Sequence, residues 1–387
     1  MNVRDLLMAL VRYAIKDETF DISAVKESLN ESLNENRLAT LFKVAKKHDV
    51  AHLVAFALEQ NGLYFEGEVW QGFLKEKEQA KLRYEMIQAD FDEICKCFDK
   101  EEIAYVPLKG AVIRAYYPEP WMRTSCDIDV LVREEELDRA VNALVSGYSY
   151  RVDGKKSYHD ISLYSPFGMH LELHHNIKET IDKYDELLTQ VWEFSYHCDG
   201  AKHLQTNEFL MFHLTAHMAY HFIGGGCGLR SVLDLWLLKQ KMVLNGERLN
   251  ELLEKAELAT FFKAVMDLGE YWLGETSEVS QVVLEMEKYI LLGGAYGTGK
   301  QSAISNQVKK GGKTRYFLSR AFMPYESLSI LYPVIKKHKI LTPFCQILRW
   351  FGVVSKSKRI KNEIKNVTSV SQEQTEGVRS LLNSLGL

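Results

Sequence analysis

No stretch of this 387-residue chain approaches the ~18 uninterrupted apolar residues of a membrane-crossing helix, so no transmembrane segment is expected. A signal peptide is not expected either, because Arg12 interrupts the apolar stretch from Leu6 to Ala14 and no small-residue cleavage site follows. The six cysteines (Cys95, Cys97, Cys126, Cys198, Cys227, Cys345) show no Cys-x-x-Cys spacing, which speaks for reduced thiols in a cytoplasmic protein. There is no strong excess of either charge. A net charge of −4 argues against extended nucleic-acid binding across the whole chain. What is present in quantity is apolar: 46% hydrophobic residues over this length can supply the cores of two or three domains.

The chemistry concentrates in Met122–Val132, where Asp127 and Asp129 alternate with Ile128, Val130 and Val132. On a strand that alternation puts both carboxylates on one face and the apolar residues on the other. Two acids held together repel unless a cation joins them, and hard oxygen donors suit Mg²⁺ or Mn²⁺ better than zinc. Asp-x-Asp alone is a common triplet, so the neighbours decide its weight. Upstream, Ile103–Gly110 reads as a strand ending in a Gly turn, and Ala111–Tyr116 as the start of a helix, an arrangement that presents free N–H groups to phosphate. Downstream, Met169–His174 alternates again, with Leu171 and Leu173 on one face and His170, Glu172 and His174 on the other. Glu172 is thereby a third carboxylate.

A strand with a Gly turn, a helix, an Asp-x-Asp strand and a later strand bearing one acid resembles the polymerase-beta-like nucleotidyltransferase superfamily. Within it, Leu108-Lys109-Gly110, Arg123 ahead of Asp127 and Asp129, and Glu172-Leu173-His174 are most similar to the bacterial group of uncharacterised nucleotidyltransferases. The resemblance implies transfer of a nucleoside monophosphate from an NTP, ATP first among them, to an acceptor hydroxyl with loss of pyrophosphate. It implies two ions of Mg²⁺ or Mn²⁺ on Asp127 and Asp129, with Glu172 completing the second metal site or acting as base. Lys109, Gly110, Ala111, Arg123, Ser125 and Arg230 would meet the nucleotide phosphates, and His174, His217 and His221 would wall the pocket. A small molecule or a protein would be the acceptor. The superfamily's Gly-Ser turn is replaced by Lys109-Gly110, and His175 stands where relatives carry Trp. Two rivals keep the same residues: a non-catalytic nucleotide- or partner-binding module, and a metal-dependent phosphohydrolase.

The fold class expected is α+β, a small mixed sheet flanked by helical regions. Residues 1–98 read as helices and 99–178 as the mixed core. Residues 179–365 read as mostly helical and 366–387 as a flexible tail. In the third region His213, His217 and His221 repeat every four residues, a spacing that invites zinc but lacks the internal acid of His-Glu-x-x-His. A polar helix face against the site is the plainer reading. Gly224-Gly225-Gly226 and Gly228 form a loop that can bring backbone near a ligand, and Arg230 with Asp234 has the spacing of a helical ion pair. Gly294–Gln301 imitates a phosphate-binding loop, but Gln301 stands at the Ser/Thr position and a helical stretch precedes it. Between Lys309 and Lys365 fourteen basic residues face two acids, Glu326 and Glu363, with aromatics interleaved; the expectation is a solvated face whose apolar side packs on the core.

Overall fold

The alternation in Asp127–Val132 builds the middle of the sheet. The computed structural model describes residues 1–16, 23–30, 34–154, 156–276, 278–295, 297–354 and 366–387. Its strands are β1 (Tyr105–Pro107), β2 (Asp127–Val132), β3 (Arg151–Asp153), β4 (Asp160–Tyr164), β5 (His170–His174), β6 (Ser195–Asp199) and β7 (Lys202–Gln205). They form one sheet in the order β3-β4-β5-β2-β1-β7-β6. β2 runs parallel to β5 and antiparallel to β1, while β3, β4 and β5 form an antiparallel meander.

Ile128, Val130 and Val132 point from β2 into one core, shared with Leu171 and Leu173 of β5. That core is closed by Ile87, Ile94 and Phe98 of the long helix Glu68–Lys100 and by Leu137, Ala140 and Leu144 of the helix Leu137–Tyr148. With this face covered by helices, the opposite face, carrying Asp127, Asp129 and Glu172, is left for the site. The larger core unites the N-terminal helices with the helices from Asn207 to Gly293, and Val106 and Leu131 join it from the sheet. The α+β architecture is therefore a mixed sheet flanked by helices.

Three local expectations change. Residues 195–205 fall in the region expected to be mostly helical and instead form the β6–β7 hairpin, which extends the sheet through parallel pairing of β7 with β1. The turn is Asp199-Gly200, with Gly200 at φ +54. Beyond residue 365, where composition suggests a frayed end, the helix Gln372–Ser384 opens on a full capping box between Ser371 and Gln374. Leu381, Leu382 and Leu385 anchor it in the main core. In the basic region, Phe317, Phe322 and Phe344 are more than half exposed, and Leu328, Ile335 and Cys345 form their own small cluster. Lys356, Lys358, Arg359, Lys361 and Lys365 lie outside the described residues. No described helix is long and apolar enough to cross a membrane.

Candidate functional site

Parallel pairing sets Asp129 opposite Glu172 and Asp127 opposite His170. Because side chains on paired positions share a face, three carboxylates and two imidazoles converge. Two overlapping sets have ligand atoms within 4.8 Å of one another: Asp127, His170 and Glu172, and Asp129, Glu172 and His174. Glu172 belongs to both. Carboxylate oxygens with a single imidazole are a donor set that accepts a hard divalent cation.

Lys109 enters this cluster from the end of β1. Its Nζ donates to Asp129 Oδ1 at 2.9 Å. Lys109 has φ +43 and ψ −115, a conformation that costs a side-chain-bearing residue on the order of 1–3 kcal/mol. His174 donates from Nε2 to the same oxygen at 3.0 Å and lies 3.5 Å from Glu172. Its ring stacks on His159 with centroids 5.5 Å apart. His174 is thus bonded to a carboxylate of the cluster and is more than a pocket wall.

The charges respond to one another. Burial opposes ionisation of Asp129, but Lys109 and His174 overcome it and hold its carboxyl below the ordinary range. Burial likewise works against the Lys109 ammonium, and the charge and hydrogen bond of Asp129 more than offset it. Asp127 moves the other way: burial first, then the like charges of Asp129 and Glu172, raise its pKa. A carboxyl held up by neighbouring negative charge is a place where added positive charge is favoured.

Gly110 follows Lys109. A Cβ built on it would lie 2.9 Å from Arg123 Nη1, 3.3 Å from Arg114 Nη2 and 3.4 Å from Ser125 Oγ, so its missing side chain makes room for two guanidinium groups. Arg114, which belongs to none of the sequence motifs, is buried and donates to Gly110 O at 2.7 Å and to Ser125 Oγ at 3.1 Å. Burial and the neighbouring Arg123 charge push its pKa down to about 10. Ser125 donates in turn to Asp127 O at 3.1 Å and so braces the start of β2. The Ala111 N–H is engaged within the turn, donating to Leu108 O at 3.1 Å.

The two arginines of the motifs have protein partners. Arg123 donates to Asp234, with Nη2 2.9 Å from Oδ2, and Tyr117 Oη donates to the same carboxylate at 2.7 Å. Arg230 reaches Thr124 O at 2.9 Å and Asp49 Oδ2 at 3.2 Å, so the helical pair of Arg230 with Asp234 is not the one formed. Both arginines still line a cavity of about 540 Å³, together with Lys109, Asp127, Asp129 and Glu172. That volume falls in the ~300–1,000 Å³ range of small-molecule sites.

The far wall is the helix Asn207–Gly224. His217 Nδ1 donates to Glu179 at 2.6 Å, and the rings of His217 and His221 meet edge to face with centroids 4.5 Å apart. His213 faces Gln205, and burial pushes its pKa down to about 3. Both candidate metal sets among the described residues lie at the sheet, and neither uses this helix. The glycine loop after it packs backbone to backbone on the phosphate-loop lookalike: a Cβ on Gly225 would lie 2.6 Å from Ser302 N, and one on Gly297 would collide with Gly225 O. That lookalike follows the helix Gln281–Gly293, not a strand.

The model of a family described as an uncharacterised nucleotidyltransferase matches residues 34–274 of the chain. No curated protein and no solved structure matches.

Proposed function

The chain belongs to the uncharacterised nucleotidyltransferase family, and from that premise we propose that it transfers a nucleoside monophosphate from an NTP, ATP first among them, to an acceptor hydroxyl. The bond from the acceptor oxygen to the α-phosphorus forms as the bond to pyrophosphate breaks. The observation that carries the reading is the pairing of Asp127 and Asp129 with His170 and Glu172 at the rim of a cavity of nucleotide size.

Asp127, His170 and Glu172 would hold a divalent ion, Mg²⁺ or Mn²⁺, and Asp129 stands beside them. Bound there, such an ion would neutralise triphosphate oxygens and lower the pKa of an attacking hydroxyl. Lys109 brings fixed positive charge to the same point, and Lys178 and Arg230 line the cavity beyond it. We take Glu172, half-buried and lining the cavity, as a ligand of that ion; the alternative role, base for the acceptor's proton, would require a carboxylate that the ion does not hold. The site faces His217 and Glu179 across the cavity, polar groups that suit a hydroxyl-bearing small molecule or a protein side chain.

Calorimetric titration of each NTP with and without Mg²⁺, on the wild type and on Asp127→Ala/Asp129→Ala, tests the reading. Magnesium-dependent binding lost in the variant is the expected result, followed by pyrophosphate release when acceptor classes are added. Folded wild type that binds no NTP would remove the proposal. Release of orthophosphate without any acceptor would favour a phosphohydrolase.

A further inference from the structure

Resting on the reading above, we infer that Lys109 occupies the place of one of two divalent cations, so that the site takes a single metal ion, on Asp127, His170 and Glu172. The two candidate ligand sets share Glu172, yet they differ in what already holds them. In the set of Asp129, Glu172 and His174, Asp129 Oδ1 receives Lys109 Nζ at 2.9 Å and His174 Nε2 at 3.0 Å. An ionised carboxylate accepts only, so the nitrogen that meets it must carry the hydrogen. His174 Nε2 is therefore a donor at this point and has no lone pair to give a metal. Its other nitrogen, Nδ1, is buried without a hydrogen-bond partner, and it is Nε2 that approaches both Asp129 and Glu172. A second cation at Asp129 would have to displace an ammonium and rotate or retautomerise an imidazole.

The other set is held more loosely, with His174 Nε2 3.5 Å and His170 Nδ1 4.0 Å from Glu172 and, among the described residues, no ammonium on any of its three members. Asp127, His170 and Glu172 are each half-buried, and Asp127 and Glu172 line the cavity. Charge balance agrees: Asp127, Asp129 and Glu172 carry three negative charges when ionised, which one ammonium and one divalent ion neutralise. Lys109 is on this account a positioning and charge-balancing residue, and one divalent ion with one lysine does the work that two ions about 3.5–4 Å apart do in two-metal sites.

Mn²⁺ counting by equilibrium dialysis and electron paramagnetic resonance on the full chain, alone and with α,β-methylene-ATP, tests this. One Mn²⁺ per chain with the six-line spectrum of an isolated ion is expected for the wild type and for Lys109→Arg. Lys109→Met should take up two ions with a broadened, coupled spectrum, and Asp127→Asn should lose the single ion. Two coupled ions in the wild type would overturn the inference while leaving nucleotidyl transfer in place, and the wild-type count decides even where Lys109→Met does not fold. Folded wild type that binds no Mn²⁺ with the analogue would overturn the inference and the metal-dependent reading beneath it. A folded Lys109→Met that still takes one ion would overturn the role given to the lysine.

Discussion

Arg123 and Asp234, 111 residues apart in sequence, form a buried two-pronged ion pair with Nη2–Oδ2 at 2.9 Å and Nε–Oδ1 at 3.4 Å. The pair ties the segment that enters β2 to the helix Leu229–Lys241, and so ties the carboxylates to the opposite wall of the cavity. Both side chains are less than a tenth exposed. Removing one partner leaves the other charge buried and alone, which costs about 3–5 kcal/mol. Arg123→Ala and Asp234→Ala are each expected to lose that much in urea unfolding. The double replacement Arg123→Met/Asp234→Leu should cost far less than the sum, with about 1 kcal/mol remaining for the Tyr117 hydroxyl that loses its acceptor. Additive losses would mean that the two charges do not depend on each other.

The glycine loop gives a second prediction. Gly225 caps the helix Asn207–Gly224 at φ +92 and has no room for a side chain against Gln301 and Ser302. Gly225→Ala carries the cost of both the left-handed backbone and the backbone clash, roughly 2–4 kcal/mol in unfolding free energy. Gly224 sits one residue earlier, where an added Cβ would meet nothing within 4 Å and φ is not positive. Gly224→Ala is expected to be neutral or to stabilise by up to about 1 kcal/mol. Thermal melts of the two variants check the contrast, and equal losses would contradict the packing described.

Legibility in the sequence followed the range of the interaction. Asp127, Asp129 and Glu172 could be read because period-two alternation is local. Their register could not, because pairing of β2 with β5 is set by the intervening meander and the helical layer behind it. The spacing of Arg230 and Asp234 pointed to a helical pair, but each side chain finds a partner on a distant segment, Asp49 and Thr124 for one and Arg123 for the other. The β6–β7 hairpin escaped notice because β6 is largely exposed and lacks an apolar face to alternate. Only its Asp199-Gly200 turn was a signal. The helix Gln372–Ser384 was hidden by polar composition, although Ser371-x-x-Gln374 is a capping-box pattern and Leu381, Leu382 and Leu385 share a helical face. Arg114 carried no motif, and its role follows only from the space that Gly110 leaves.

Acid should destabilise the fold through His213. Its folded pKa is pushed to about 3, first by burial and then by the charge of His217, with Lys109 and His174 adding to the effect and Glu179 opposing it. The unfolded chain binds the proton near pH 6.5, so below that pH the unfolded state holds more protons and stability falls as pH falls. The contribution is fully present above the unfolded pKa and is lost progressively toward about pH 3. At pH 5 the loss amounts to about 2 kcal/mol. Asp129, whose pKa is lowered, adds a loss in the same direction at more acid pH. His213→Leu is expected to flatten the slope of unfolding free energy between pH 6.5 and 5. An unchanged slope in the variant would assign the acid sensitivity elsewhere.

Lys109 offers a way to separate backbone from charge. The superfamily turn that Lys109-Gly110 resembles has glycine at its first position, and here that position takes φ +43 and ψ −115, a conformation open to glycine and costly for any residue with a Cβ. Lys109→Ala and Lys109→Gly both delete the ammonium and leave Asp129 beside Asp127 and Glu172 without its closest positive charge. They differ only in the backbone. Lys109→Gly is therefore expected to be the more stable of the two by roughly 1–2 kcal/mol in urea unfolding at neutral pH. Added Mg²⁺ should raise the stability of both, because binding to the folded state alone is stabilising by mass action and the carboxylates freed of Lys109 have more to gain. Equal stability of the two variants would mean that residue 109 leaves the left-handed region in solution, and the hold of Lys109 on Asp129 would then rest on its charge alone.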